Sequence, residues 1–362
     1  MKVLVSVFNN LFTDQRVEKV CRTLSENGYE IELIGNNWGG LPEMTRPYHF
    51  SRIPLKSQSL KLAYPEFNWK LHKILLQKAD QNTILLSNDL DTLLANYLVS
   101  KRLGIPLVFD SHEIFTEMPA INGRFTQRIW RTLEQTILPK LDFMMTASES
   151  YADWFERKYG IKRPTVVQNF PAGIENPQNY SEINQKKIIL YQGVINPSRG
   201  LDKMIPAMMD MEHAEFWICG DGPRKDEYLA LSKSLGLEEK VKFMGKLLPE
   251  KLREITKKAD VGLSIEENNG LSYFYSMPNK VSDYIQSRVP VVVSNFPQMG
   301  KIVDRFQVGE KINHHDELVE KINIVLENGK KFYEDALNKA SEELCWEKEE
   351  PKIISLFKKI TQ

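Results

Sequence analysis

The fold is decided by the stretch Met277-Pro278-Asn279-Lys280-Val281-Ser282-Asp283-Tyr284, which the apolar run Val289–Val293 follows. Proline suits the first turn of a helix, because its missing N–H group would find no partner there. Val289–Val293 is short and fully apolar, as is typical of a strand buried on both faces of a parallel sheet. The pattern therefore predicts a helix that begins at Pro278 and leads into a buried strand.

Two residues of this predicted helix could bind a ligand. Lys280 lies in the first turn, among unpaired backbone N–H groups and at the positive end of the helix dipole. Asp283 lies on the same face, one turn further along. A nucleoside diphosphate would suit this pair, because it offers phosphates to the cation and sugar hydroxyls to the carboxylate. A capped helix with a solvated ion pair has the same spacing, so both explanations stay open.

The same alternation of short apolar runs and helical patterns continues along the whole chain. In the first half the predicted strands are Val3–Phe8, Glu30–Gly35, Ile84–Ser87, Pro106–Phe109, Phe143–Ala147 and Thr165–Gln168. In the second half they are Lys187–Gln192, Ala214–Cys219, Val241–Phe243, Val261–Ser264 and Pro290–Ser294. Such alternation predicts βαβ units and parallel sheets covered by helices on both faces.

One polar stretch interrupts the alternation. Residues 171–187 contain Pro171, Gly173 and Pro177 and show no periodicity, so we interpret them as a linker. The linker would separate an N-terminal Rossmann-like domain, residues 1–170, from a C-terminal one, residues 188–345. Ligands of open parallel sheets bind outside the carboxyl ends of the strands, so we expect the active site in a cleft between the two domains.

Composition excludes several classes of protein. The 362 residues include 48 Lys or Arg and 48 Asp or Glu, and this zero net charge argues against bulk binding of nucleic acid. The three cysteines form no CxxC pair, which favours a reducing compartment. No segment has the ~20 apolar residues that cross a bilayer, and the apolar opening is too short for a signal peptide. We expect a cytoplasmic protein, either free or bound at the inner face of the membrane.

Two loops of the second half carry further candidates. Arg199 lies in the loop Gly193–Gly200 after a predicted strand, where it could make charge-assisted bonds to a phosphate. It could equally be a surface arginine in a Pro/Gly turn. Gly220-Asp221-Gly222-Pro223 also follows a strand. Its glycines would allow close approach to a flat ligand, but a tight turn needs them equally. Arg199 and Lys280 follow different strands of one sheet, so we expect them to converge at its edge.

The first half has candidates of its own. Asp110-Ser111-His112-Glu113 follows a predicted strand, and its histidine could polarise a sugar hydroxyl or be structural. Asp89-Leu90-Asp91 resembles the DxD that chelates a metal, but Asp91 fits the N-cap of a helix from Thr92, so we predict no metal site. The basic amphipathic stretch Tyr64–Lys78 predicts either contact with an anionic membrane or packing against the core.

Taken together, these motifs resemble the retaining nucleotide-sugar glycosyltransferases of the large family 4. The resemblance implies the GT-B architecture, an α/β fold of two Rossmann-like domains whose parallel sheets face each other across an interdomain cleft. It also implies that the C-terminal helix, residues 346–362, crosses back to complete the first domain. The motifs that carry it are Asp14–Val17, Asn88–Thr92, Val108–Glu113, Gly193–Leu201, Cys219–Pro223 and Pro278–Tyr284.

The resemblance also implies a role for each matching residue. His112, Arg199 and Lys280 would be catalytic, the two cations holding the donor diphosphate without a required metal and His112 contacting the donor sugar. The donor site would further comprise Gly193, Gly220, Asp221, Gly222, Glu266, Glu267, Asn279 and Asp283. The acceptor or sugar side would comprise Asn10, Asp14, Asp110 and Glu113.

Three positions depart from the family pattern. Asp283 stands where the family has the second glutamate of its E-x7-E element, which bonds the ribose. The first glutamate has no counterpart, because Tyr275 occupies its place, and Glu266 or Glu267 could serve through a longer loop. Val194 replaces one of the paired cations, a loss for which Lys280 could compensate.

The expected reaction is therefore the retaining transfer of a sugar from a nucleotide diphosphate sugar, UDP-linked rather than GDP-linked, to a hydroxyl acceptor. The acceptor would be a glycan or a lipid-linked intermediate of cell-surface polysaccharide or glycolipid assembly. Neither a cofactor nor a nucleic acid partner is expected. Two alternatives stay open, a nucleotide-sugar epimerase of the same architecture and a noncatalytic sugar-nucleotide binding protein.

Overall fold

The computed structural model describes residues 1–12, 14–39, 43–57, 59–174 and 186–361. The chain divides into two compact units. The first unit comprises Met1–Asn169 and Glu349–Gln362, and the second comprises Phe170–Lys348. Most of the expected linker, residues 175–185, lies outside the described residues. No helix in the described part of the chain is long and apolar enough to cross a membrane.

The first unit is built on seven parallel strands. In chain order they are β1 (Lys2–Ser6), β2 (Glu30–Asn36), β3 (His49–Ile53), β4 (Thr83–Asn88), β5 (Leu107–Ser111), β6 (Phe143–Thr146) and β7 (Thr165–Val166). Across the sheet the order is β3-β2-β1-β4-β5-β6-β7. The helices are α1 (Gln15–Glu26), α2 (Leu60–Lys78), α3 (Leu90–Leu103), α4 (Phe125–Ile137) and α5 (Glu149–Tyr159), with 3-10 turns at Phe115–Glu117 and Leu138–Lys140.

The second unit has six parallel strands. They are β8 (Lys187–Gln192), β9 (Ala214–Cys219), β10 (Val241–Gly245), β11 (Val261–Ser264), β12 (Val291–Ser294) and β13 (Gly309–Ile312), in the order β10-β9-β8-β11-β12-β13 across the sheet. The helices are α6 (Leu201–Ala207), α7 (Lys225–Ser234), α8 (Pro249–Lys258), α9 (Leu271–Phe274), α10 (Asn279–Gln286), α11 (Pro297–Phe306), α12 (Leu318–Phe332) and α13 (Glu334–Glu343), with 3-10 turns at Met208–Asp210 and His315–Glu317. The expected fold class, two Rossmann-like α/β units with parallel sheets, is confirmed.

A last helix, α14 (Trp346–Thr361), runs into the first unit and packs beside α1. The Thr23 hydroxyl donates to Glu350 Oε1 at 3.1 Å, and the rings of Tyr29 and Phe357 meet edge to face at 5.7 Å. The start of α1 is fixed by Asp14, whose Oδ1 accepts from the Val17 backbone N–H at 3.0 Å. This N-cap satisfies one of the donors that a helix start leaves unpaired.

Several helix starts differ from the sequence prediction. The helix α10 begins at Asn279, so Pro278 occupies the N-cap position with an extended backbone rather than the first turn. The prediction that Asp91 caps the next helix is wrong: α3 begins at Leu90, so Asp91 lies in its first turn. Asp89 takes the N-cap position instead, with a φ of 57° that few residues other than glycine adopt.

The strand assignments also need correction. The prediction placed Asp110 and Ser111 in a loop after their strand, but β5 continues through both residues, because their backbones pair with β6 at Met145 and Thr146. Two strands, β3 and β13, were not predicted. Both lie at a sheet edge and are only partly buried, so they lack the apolar run that marks central strands.

The core of the second unit depends on close packing between Gly262 and Tyr284. The fully buried Tyr284 hydroxyl lies 3.2 Å from the Leu190 carbonyl oxygen and 3.3 Å from that of Leu263. It also accepts from the Gln192 backbone N–H at 3.1 Å. A Cβ atom on Gly262 would lie only 2.4 Å from the Tyr284 ring. The tyrosine thus ties α10 to two strands, and only glycine leaves room for it.

We predict that Gly262→Ala lowers the free energy of unfolding by about 2–3 kcal/mol, because overpacking forces the anchored ring to move. The control is Gly236→Ala, where φ is +66° and a Cβ would meet nothing within 4 Å. That control should cost about 1 kcal/mol, from backbone strain alone. Urea titrations of both variants measure the difference, and equal losses would contradict the packing argument.

Candidate functional site

Arg199 and Lys280 converge on one buried carboxylate at the carboxyl edge of the second sheet. Glu266 lies two residues after the end of β11 and is 2% exposed. Its Oε1 atom lies 2.7 Å from Lys280 Nζ and 3.3 Å from Arg199 Nη1. The Ser264 hydroxyl donates to the other carboxylate oxygen at 2.8 Å. The structure therefore brings together the two cations that the sequence placed after different strands.

Electrostatics makes this cluster a candidate anion site. Burial opposes charge on Glu266, but Lys280 and Arg199 hold the pKa of its carboxyl below the usual range. Burial lowers the pKa of Lys280, against the attraction of Glu266. Two cations on one carboxylate leave one net positive charge. The Arg199 side chain is 21% exposed, so its guanidinium can donate to a bound anion.

Two aromatic rings support the cations. The Lys280 ammonium lies 4.2 Å from the ring centroid of Tyr191, and the Arg199 guanidinium lies 4.7 Å from that of Tyr273. Sequence reasoning missed both tyrosines and Ser264. Tyr191 lies inside the predicted strand Lys187–Gln192 and was therefore interpreted as a core residue, while Tyr273 and its neighbours carried no recognisable motif.

The glycines near this cluster are required by contact between two loops. The Gly193 N–H donates to the Cys219 carbonyl oxygen at 3.0 Å. A Cβ on Gly220 would lie 1.8 Å from the Gly193 oxygen, and one on Gly222 would lie 2.5 Å from the Ile195 oxygen. Gly220 and Gly222 are thus required by the close packing of the two loops against each other at the sheet edge.

Asp283 is oriented by a buried amide. Gln192 Nε2 donates to Asp283 Oδ2 at 3.1 Å, and Thr256 Oγ1 donates to the Gln192 amide oxygen at 2.8 Å. Because a carboxylate only accepts hydrogen bonds, the Asp283 contact fixes which way the amide points. Glu267 is half-buried, and its N–H donates to the Ser198 carbonyl oxygen at 3.0 Å. The other donor-side candidates, Asp221 and Asn279, are exposed.

The first unit contains a second charged network, centred on Asp110. This fully buried carboxylate accepts two bonds from the Arg16 guanidinium, at 3.0 Å from Nε and 2.7 Å from Nη2. His112 Nε2 lies 3.3 Å from Asp110 Oδ2, and His112 Nδ1 lies 3.2 Å from Asp89 Oδ2. The role of Arg16 was missed, although its motif had been noted, because nothing in the spacing links it to Asp110.

The network fixes the charge of His112. Burial opposes its protonation, but the carboxylates of Asp89 and Asp110 raise its pKa to about 9. Burial likewise opposes charge on Asp110, yet Arg16 and His112 lower the pKa of that carboxyl to about 2. Both ring nitrogens of His112 face carboxylates, so at neutral pH the side chain is an imidazolium.

The remaining first-unit candidates lie outside this network. Asp14 caps α1 and accepts from Asn9 Nδ2 at 2.7 Å, and the half-buried Asn10 accepts from the Phe12 N–H at 3.2 Å. Thr13, in the same early loop, lies outside the described residues. Glu113 is half-buried, and its carbonyl oxygen accepts from the Ser111 hydroxyl at 2.8 Å. In the described ranges, no three His, Cys, Asp or Glu side chains are grouped to hold a metal ion.

The raised pKa of His112 makes stability depend on pH. A raised folded-state pKa stabilises the protein fully below the unfolded value of 6.5, and this contribution disappears as the pH rises to about 9. We predict that the stability advantage of wild type over His112→Gln shrinks by about 3 kcal/mol across that interval. Denaturant titrations at both ends measure it, with exposed His213→Gln as control. A pH-independent difference would contradict the assigned charge.

Two family models match nearly the whole chain between them. The family described as Glycosyltransferase Family 4 matches residues 14–170. The family described as Glycosyl transferases group 1 matches residues 174–343. No curated protein sequence matches the chain at a significant level.

Solved structures share the fold across the full length. Sucrose-phosphate synthase from Thermosynechococcus elongatus gives a TM-score of 0.82 at 13% identity, covering 100% of this chain and 99% of that chain. Anabaena HepE in complex with UDP-glucose gives 0.74 at 15% identity, covering 99% and 100%. WaaG, a glycosyltransferase involved in lipopolysaccharide biosynthesis, gives 0.71 at 14% identity, covering 98% and 99%. The motif-based resemblance is thereby confirmed: the chain belongs to the GT-B glycosyltransferases of family 4 type.

Proposed function

We propose that this glycosyltransferase catalyses retaining transfer from a nucleotide diphosphate sugar to a hydroxyl acceptor. The proposal rests on the convergence of Arg199 and Lys280 at Glu266, which leaves one uncompensated positive charge at a strand edge. Lys280 also lies in the first turn of α10, where backbone N–H groups favour an anion. A donor diphosphate supplies that anion.

We assign Glu266 a role other than that of the missing first glutamate of the E-x7-E element. Its carboxylate is buried and engaged by both cations, so it is not free to bind sugar hydroxyls. We assign it the task of holding Arg199 and Lys280 in place before the donor arrives, which reduces the reorganisation needed on binding. The half-buried Glu267 is then the better candidate for the sugar side.

The donor nucleoside is assigned to neighbouring residues of the second unit. Asp283 would accept hydrogen bonds from the ribose hydroxyls, with its carboxylate held by Gln192. The loops at Gly193 and at Gly220–Gly222, with exposed Asp221 and Asn279, would line the nucleotide. To the first unit we assign the sugar and acceptor side. There the positively charged ring of His112, held between Asp89 and Asp110, would contact the donor sugar, and Asn10, Asp14, Asp110 and Glu113 would shape its surroundings.

The proposed chemical step needs no protein nucleophile. The bond between the anomeric carbon and the diphosphate oxygen breaks, and the acceptor oxygen bonds to the same face of that carbon. The acceptor proton passes to the departing phosphate oxygen. Arg199 and Lys280 stabilise the negative charge that develops on the diphosphate, which is the service a metal gives in other transferases.

Ligand complexes of related structures support a uridine donor. Anabaena HepE is described in complex with UDP and with UDP-glucose, and a trehalose-6-phosphate protein from E. coli is described as bound with UDP-2-fluoro glucose. We therefore propose a UDP-sugar rather than a GDP-sugar as donor.

For the acceptor we propose a glycan or a lipid-linked hydroxyl, by analogy with WaaG, which is described as involved in lipopolysaccharide biosynthesis. We place the enzyme in the cytoplasm. This assignment is supported by the three cysteines, which are free and buried, as suits a reducing compartment.

We predict that Arg199→Met and Lys280→Met each weaken UDP binding about 10- to 150-fold, because each removes a charge-assisted phosphate contact of about 1.5–3 kcal/mol. Calorimetric titration with UDP and GDP measures the effect and the preference. The matched control is Lys203→Met, which removes an exposed cation on α6 that pairs with Asp202. Unchanged UDP affinity in both site variants would refute the assignment.

The stereochemistry can be tested without knowing the acceptor. We predict that the protein slowly hydrolyses UDP-α-glucose and that NMR detects α-glucose first, because the incoming oxygen takes the face of the leaving group. Chelation by EDTA should leave the rate unchanged, since Arg199, Lys280 and the N-terminus of α10 would stabilise the diphosphate without a metal. Release of β-glucose would rule out retention. An isomerised UDP-sugar would indicate an epimerase, and UDP binding without turnover would indicate a noncatalytic protein.

A further inference from the structure

The apolar residues that suggested membrane contact in Tyr64–Lys78 are mostly core residues. Phe67, Leu71 and Leu75 are fully buried, and the helix begins earlier, at Leu60. Of the large apolar residues in Tyr64–Lys78, only Trp69 is strongly exposed, at 60%. The amphipathic pattern of α2 alone is therefore explained by packing onto the sheet.

A different apolar surface becomes visible once three helices are considered together. In the described helices of the first unit, every large hydrophobic side chain that is strongly exposed belongs to α2, α3 or α4. These residues, named here the three-helix face, are Leu60, Leu62, Trp69, Leu94, Leu98, Phe125 and Ile129. The described parts of α1, α5 and α14 contribute none.

Topology puts these helices on one side of the sheet. The connections β3–α2–β4, β4–α3–β5 and β5–α4–β6 all run in the same direction across the strand order, whereas β1–α1–β2 runs in the opposite direction. Because such crossovers are right-handed, α2, α3 and α4 share a face that α1 does not.

Contacts between the helices confirm that they are neighbours. Asn68 on α2 donates to the Asp91 carbonyl oxygen at 2.7 Å and accepts from the Ala95 N–H at 3.3 Å, which joins α2 to α3. The ring of Tyr64 on α2 meets that of Trp130 on α4 at 5.3 Å. The exposed side chains of Trp69, Leu94 and Ile129 are sequence neighbours of these contact residues.

The charge of these helices differs from that of the chain. Counting from Arg124 for α4, the three helices carry nine Lys or Arg residues and three Asp or Glu residues, although the whole chain is neutral. Glu134 is buried, Asp91 is half-buried, and Glu66 is paired with Lys70 at 2.7 Å. Two more of the nine cations are paired with carboxylates outside these helices, Lys78 with Glu32 and Arg131 with Glu117. Basic residues adjoin the apolar ones, as where Lys73 lies 3.6 Å from the Trp69 ring.

We propose that the three-helix face docks on an anionic lipid bilayer. Exposed aromatic and aliphatic side chains would enter the headgroup region, and the surrounding lysines and arginines would bind lipid phosphates. Charge complementarity favours this anionic occupant over a neutral protein partner, which would leave the basic excess unmatched. The inference deepens the proposed function, on which it rests for the idea of a lipid-linked acceptor, but the docking itself requires no substrate.

The test is sedimentation of the protein with vesicles of phosphatidylcholine alone or mixed equally with phosphatidylglycerol. We expect binding to the anionic vesicles only, weakened by salt. Arg124→Gln with Arg128→Gln should reduce the partition coefficient on the order of 25-fold, at about fivefold per cation. Trp69→Ala with Phe125→Ala should reduce it by a similar order.

Matched controls come from the second unit. Lys233→Gln with Lys246→Gln removes two exposed cations there, and Leu248→Ala with Phe332→Ala removes two exposed apolar side chains, 78% and 69% exposed. Both controls should bind vesicles as wild type does. All variants should keep their thermal midpoint and UDP affinity, so a failure of docking is distinct from a failure of the proposed function.

Three results would overturn the proposal. Equal binding to neutral and anionic vesicles would remove the role of charge. Equal losses of vesicle binding in the control variants would show that binding does not depend specifically on the three-helix face. Concentration-dependent dimerisation that the Trp69/Phe125 variant abolishes, without vesicle binding, would assign the face to a second copy of the chain.

Discussion

A buried carboxylate must be neutralised, and Glu266 imposes this requirement on the second unit. Its two cationic partners come from the loop after β8 and from the start of α10, so the electrostatic demand ties together elements that are distant in sequence. Tyr284, one turn further along α10, anchors the same helix to β8 and β11. The cluster is therefore fixed by charge at one end of the helix and by packing at the other.

The first unit meets the same requirement with different chemistry. Asp110 is buried at the end of β5 and is neutralised by Arg16 on one side and His112 on the other. In both units the charged group lies at the carboxyl end of a central strand, where the loops of parallel strands gather. The Rossmann-like sheet thus determines where each buried carboxylate lies, and cations from other elements determine the chemical properties of the site.

The sequence was enough to predict which residues lie at the edge of a sheet, but not which side chains contact each other there. Central strands such as β8, β9 and β11 were predicted to the residue, because their apolar runs are short and clearly bounded. The meeting of Arg199 with Lys280 followed from the rule that strand ends converge. Their shared partner Glu266 was only one of two adjacent candidates, since spacing cannot say which of two glutamates turns inward. The pairing of Arg16 with Asp110 was beyond reach, because no local pattern links residues so far apart. The side of α2 that meets the sheet was equally undetermined by its own sequence.

The uneven charge distribution has an effect that begins before any contact. Nine basic and three acidic residues lie on the helices of the three-helix face, so the rest of a neutral chain carries a net charge of −6, counted from 48 residues of each sign. Such a molecule is an electric dipole. Near a negatively charged surface it experiences a torque that turns the basic side inward and the acidic remainder outward, over a range set by the Debye length. Orientation would thus be selected during approach, and ionic strength would govern how often an encounter is productive.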